Sequence, residues 1–118
     1  MSERLQEFRV FREKMNARIL ESDHLGLKRF FALDTRAYEQ GALPIKTKEL
    51  LGLVASLVLR CDDCVTYHLV RCKEEGVTRE EFLDALNVGL VVGGSITIPH
   101  LRRAVATLDE LDAMAEAG

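Results

Sequence analysis

The feature that most constrains this chain is an apolar spacing of three and four residues, carried along its length and broken at glycines, prolines and short polar stretches. Leu5, Phe8, Phe11, Met15 and Ile19 recur at helical intervals with Glu, Arg and Lys on the other side. They predict a first helix over about 2–19, with Ser2 as its cap. A break near Glu21-Ser22-Asp23 leads to a second helix, about 25–38, with Leu27, Phe30, Phe31 and Ala37 turned inward. Gly41 and Pro44 end it. Thr47 is the expected cap of a third helix. Its Leu50, Leu51, Leu53, Val54, Leu57 and Val58 cover most of the circumference, so burial on nearly all sides is expected. A fourth helix over about 62–75 ends at Gly76. Thr78-Arg79-Glu80-Glu81 reads as a capping box for a fifth, which Gly93-Gly94 stops. Ile98-Pro99 opens the last, with Leu101, Ala104, Val105, Leu108 and Leu111 on one face. No alternating strand pattern, repeat or linker stands between these segments. The expectation is one all-α domain of about six helices over residues 1–118.

A formal net charge of −3 does not favour a nucleic-acid partner or an anionic membrane surface, and no apolar run reaches the length of a membrane span. The opening MSERLQEFRV is polar and amphipathic, which is unlike a secretory signal, so the expected compartment is the cytoplasm. Helices three and five carry more apolar residues than a small monomer covers comfortably, which points to a homo-oligomer.

The chemistry concentrates in Cys61-Asp62-Asp63-Cys64-Val65-Thr66-Tyr67-His68. On a helix, positions i, i+3 and i+7 share one face. The Cα atoms of Cys61 and Cys64 then lie roughly 5 Å apart, within reach of a disulfide, and His68 lies one turn beyond Cys64. In the cytosol a CxxC points to redox or metal chemistry more than to a permanent staple. Haem attachment needs His directly after the second cysteine, where this chain has Val65. A zinc site from Cys61, Cys64, His68 and Cys72 fails on rise, since Cys61 to Cys72 spans roughly 16 Å. Zinc held by Cys61 and Cys64 with a partner from elsewhere stays open, as does a pair buried simply as small hydrophobes.

A redox pair explains more. The thiolate is the reactive form, and a helix N-terminus stabilises it, although Asp62 and Asp63 push the other way. Spacing leaves open which cysteine attacks. The first is the thioredoxin-like choice, and His68 is nearer the second. Glu49 sits twelve residues before Cys61. In an antiparallel helix pair its offset from His68 is roughly 8 Å, the reach of two side chains and one water. Equally well, Glu49 is a first-turn carboxylate favourable to its helix dipole. Cys72 lies roughly 12 Å along the helix from Cys64, too far to bridge to it. Tyr67 reads as an interface aromatic, and His24 and His100 as surface or helix-start residues.

Glu49, eleven residues, Cys61-x-x-Cys64-x-x-x-His68, a Gly-ended helix, a capped helix and Gly93-Gly94 together resemble the alkylhydroperoxidase D-like proteins, which belong with the carboxymuconolactone decarboxylases. The resemblance runs from about Leu43 to Leu108. It implies an all-α fold assembled as a trimer or hexamer, and a thiol-dependent peroxidase or disulfide oxidoreductase with an antioxidant role. Carried over, Cys64 attacks a small peroxide, Cys61 resolves, and Glu49 and His68 relay the proton. An external dithiol or protein reductant then restores the pair, with no cofactor. Better-known members carry a histidine just before the second cysteine, where this chain has Asp63. They also carry a second related half, which here is expected from another subunit. The alternatives are a lyase like the carboxymuconolactone decarboxylases, which do not use a CxxC, and a non-catalytic zinc or assembly protein.

Overall fold

The computed structural model describes residues 2–117, with side chains through Glu116. Those residues form α1 (Glu3–Glu21), α2 (Leu25–Ala37), α3 (Ile45–Val58), α4 (Asp62–Glu74), α5 (Arg79–Gly93) and α6 (Ile98–Ala117), with a 3-10 turn at Ser95–Thr97 leading into α6. The chain clusters into two compact units that divide between Glu39 and Gln40.

The first unit is the helix pair α1 and α2. Ser2 caps α1 by accepting from the Leu5 N–H at 3.2 Å. The His24 ring caps α2 in the same manner, its Nδ1 accepting from Leu27 N at 3.4 Å. The inward face expected for α2 is corrected here. The helix buries no residue, Ala37 is exposed, and Phe30 is 67% exposed. Periodicity identifies an apolar face but not what covers it.

The second unit carries α3 to α6, with α3 against both α4 and α5 and α4 against α6. Leu53, Leu57, Leu69, Phe82, Leu86 and Leu108 are fully buried and form the centre of its core. Gly89 lets α3 and α5 approach closely, because a Cβ there would stand 2.9 Å from Leu57 Cδ2. The α3 start also differs from expectation. Pro44 is the N-cap, with ψ of 159° and no side-chain cap bond, and its carbonyl accepts from Lys48 N at 3.1 Å. Proline's missing N–H costs nothing at a helix start, so α3 begins two residues before Thr47 and places Glu49 fifth rather than in the first turn. Nor is α3 buried all round. Glu49, Leu53, Ser56 and Leu57 face inward while Leu51 is exposed, because α4 and α5 cover only part of the circumference.

The connection from α3 to α4 is short and specific. Arg60 takes φ of +62°, Arg60 N donates to Leu57 O and Cys61 N to Ser56 O, both at 3.0 Å. This is the Schellman arrangement that usually uses glycine, here built on arginine. Gly76, at φ of +83°, ends α4 in the same way, with Val77 N donating to Cys72 O. Thr78 and Glu81 complete the reciprocal capping box of α5. Asp112 of α6 accepts from Lys73 Nζ and Arg79 Nη1, both at 2.7 Å, tying the end of α4 and the start of α5 to α6. No helix among the described residues is long and apolar enough to cross a membrane.

Candidate active site

Cys61 is the N-cap of α4, where Ser, Thr, Asp or Asn usually stands, and its Sγ accepts from the Cys64 N–H at 3.2 Å. The two cysteines are joined as a disulfide with Cα atoms 5.3 Å apart. This is the pairing that one helical turn predicts. Cys64 is exposed and Cys61 half-buried. The pair thus lies at the positive end of the α4 dipole, which stabilises a thiolate when the bond is reduced.

One turn beyond Cys64, His68 is buried, and its Nδ1 lies 2.8 Å from Glu49 Oε1. The gap expected to need a water is closed directly. Glu49 is 1% exposed. A carboxylate in such a place stays ionised only with partners, and two are present: His68, and Arg71, whose Nε is 3.5 Å from Glu49 Oε2. Where the Glu49 carboxylate is ionised it can only accept, so Nδ1 is the His68 nitrogen that carries the hydrogen of this bond. Tyr67 meets the His68 ring edge-on, with centroids 5.1 Å apart.

Sequence reasoning misses Arg71, although its signal is present: it stands three residues after His68, on the same face of α4. Its guanidinium also reaches Glu74 at 2.9 Å and Glu75 at 3.4 Å, and the Glu74 hydrogen bond is the main reason its pKa is raised. Cys72 is free and fully buried. Burial, and secondly the Glu49 charge, push its thiol up to about 12, so it stays protonated and unreactive at neutral pH. Among the described residues no three His, Cys, Asp or Glu side chains are grouped to hold a metal ion.

A second contact joins the cysteine turn to α6. Asp62, between the two cysteines, faces His100 Nδ1 at 2.8 Å through Oδ1, and accepts from Arg103 Nη1 at 3.0 Å through Oδ2. No local pattern in the sequence announces this pairing across 38 and 41 residues.

Residues 26–107 match the model of the carboxymuconolactone decarboxylase family. The chain belongs to that family. Curated relatives include "Uncharacterized protein 4 in cox locus" of Paracoccus denitrificans, 31% identical over 83 residues, covering 70% of this chain and 75% of the relative. An uncharacterized protein of Cupriavidus necator is 31% identical over 77 residues, covering 65% and 68%. Among solved structures, a carboxymuconolactone decarboxylase family protein from Thermotoga maritima superimposes with a TM-score of 0.92 at 55% identity, over 95% of each chain. That protein is described with a suggested involvement in the antioxidative response. A family member from Legionella pneumophila, at 24% identity, shares the fold with a TM-score of 0.83 over 92% of this chain and 97% of its own.

Proposed function

We propose that this member of the carboxymuconolactone decarboxylase family is a thiol-dependent peroxidase and disulfide oxidoreductase acting through Cys61 and Cys64. One observation carries the reading: a buried carboxylate, Glu49, is hydrogen-bonded to the histidine one turn above an exposed cysteine of a disulfide-forming pair. Buried charge is costly, and here it orients a base beside a redox pair.

In the reduced protein, Nε2 of His68 takes the Cys64 proton. The thiolate attacks one peroxide oxygen, the O–O bond breaks, and sulfur is oxidised to sulfenic acid. The leaving alkoxide takes the proton back from the imidazolium, which Glu49 stabilises, and departs as an alcohol. The Cys61 thiol, at the N-cap that favours its thiolate, gives up its proton and attacks the sulfenic sulfur; the S–O bond breaks, the displaced hydroxide takes up one proton and leaves as water, and the observed disulfide results. An external dithiol restores the pair by exchange, giving up two electrons and two protons. Exposure favours Cys64 as the attacking sulfur, and the capping bond suits Cys61 to resolution. The protein works in the cytoplasm as a homo-oligomer, trimeric or hexameric, with the exposed Val88, Val91 and Val92 of α5 supplying apolar contact surface.

The test is hydroperoxide turnover with a dithiol reductant. Wild type turns over and Cys64→Ser does not. Cys61→Ser completes one round and traps a sulfenic acid on Cys64. A sulfenic acid on Cys61 in Cys64→Ser, formed at the normal first-turnover rate, reverses the assignment.

A further inference from the structure

The two residues between the cysteines are both aspartates, and in the first turn of α4 their charges oppose a thiolate while suiting the helix dipole. Yet only Asp62 is engaged by α6, through both carboxylate oxygens, by His100 and Arg103. Its side chain is 44% exposed, and that of His100 is 19%. The arrangement places a permanent guanidinium charge on the carboxylate of the residue that directly follows Cys61 in the CxxC turn. We propose that Asp62 and Arg103 form an opposed charge pair that sets the redox balance of Cys61 and Cys64, with His100 fixing the carboxylate between them. The inference rests on the reading of the pair as a working dithiol.

The physical chain is short. A reduced pair at neutral pH is partly thiolate, and whatever stabilises the thiolate favours the dithiol over the disulfide. Asp62 disfavours the thiolate. Arg103 offsets Asp62 and keeps the dithiol within reach of an external reductant. A neighbouring unit charge in a solvent-exposed setting changes such an equilibrium by only about threefold, a figure held low by screening. The direction is therefore the sharper prediction. Neither residue touches the peroxide; both act on the sulfurs from a distance.

The experiment equilibrates the full chain with reduced and oxidised glutathione and reads the dithiol–disulfide constant by alkylation of free thiols. In the balanced exchange, the dithiol and one oxidised glutathione give the disulfide and two reduced glutathiones. Asp62→Asn, which keeps shape and acceptor, is expected to shift the constant about threefold toward the dithiol. Arg103→Gln, which keeps a donor but loses the charge, is expected to shift it toward the disulfide. The double variant is expected to fall between the two. Loss of local structure would move both single variants the same way, and that result overturns the proposal, as does an unchanged constant in both. Circular dichroism and the single reactive pair check that each variant is folded. If the wild-type pair cannot be reduced and re-formed at all, the reading of a working dithiol fails and takes this inference with it. If it is reversible and the variants do not diverge, only the inference fails.

Discussion

The Glu49–His68 contact invites a double-mutant cycle on the first peroxide attack. In the proposed relay the carboxylate matters because positive charge builds on His68 as it takes the Cys64 proton. The hydrogen-bonding atoms are 2.8 Å apart, and the charge centres are somewhat further, about 4 Å. At that separation and an effective dielectric near 20, a full ion pair is worth about 4 kcal/mol. If the imidazole is half charged in the transition state, Glu49→Gln loses about 2 kcal/mol, or about 30-fold in rate. His68→Ala removes the base itself, a loss of about 10²–10⁴-fold. Because Glu49 acts through His68, adding Glu49→Gln to His68→Ala is expected to cost almost nothing more. Stopped-flow reaction of the pre-reduced protein with hydroperoxide measures each corner without interference from resolution or reductant. Thermal melts of all four proteins separate rate losses from loss of fold, since stranding either partner of this buried pair is itself destabilising. A 30-fold loss from Glu49→Gln that persists undiminished in the His68→Ala background refutes the relay.

Three further outcomes are expected. Cys72 is held protonated up to about 12 against an ordinary 9.0, so its contribution to stability is complete below about pH 9 and is lost as pH rises toward 12. The slope approaches about 1.4 kcal/mol per pH unit within that window, and denaturant melts should show a flatter alkaline fall for Cys72→Ala than for wild type. Asp112 has its carboxyl lowered, chiefly by Lys73 and then by Arg79, so its contribution is present above the ordinary carboxylate range and is lost as pH falls below it; Asp112→Asn should lose about 1 kcal/mol at neutral pH and show a shallower acid transition. Light scattering at micromolar concentration should show an oligomer, and a charge placed at Val91, 76% exposed in the single chain, should weaken it; a monomer of 13.3 kDa contradicts the assembly.

The helices were legible because their punctuation is chemical. Thr78 with Glu81, Gly76 and Gly93-Gly94 each satisfy or release backbone groups by local rules, and the helices start and stop at them. The start of α3 was not legible, because Thr47 offers a plausible cap while Pro44 supplies a start that needs no side-chain bond. The cysteine pair follows from a single turn of helix, so its geometry was predictable. Two straight antiparallel rods on either side of an average turn give too long a Glu49–His68 separation, where the structure has 2.8 Å. The turn at Arg60 is tighter than that, with Cys61 N folded back onto Ser56 O. Asp62 with His100 and Arg103 depends on how α6 lies along α4, which no spacing within either helix encodes.

The hairpin of α3 and α4 has one more consequence, for how the site comes into being. Glu49, both cysteines, His68 and Arg71 all lie on it, and the central contact spans only 19 residues of sequence. Closing so short a loop costs little chain entropy, and contacts of this range belong to the quickly formed class. The nascent hairpin can therefore assemble the relay while water still reaches it. Where the hairpin forms first, Glu49 has its histidine and arginine in place before the rest of the second unit packs. A chain that met these charges in the opposite order would have to bury Glu49 first and find its partners afterwards.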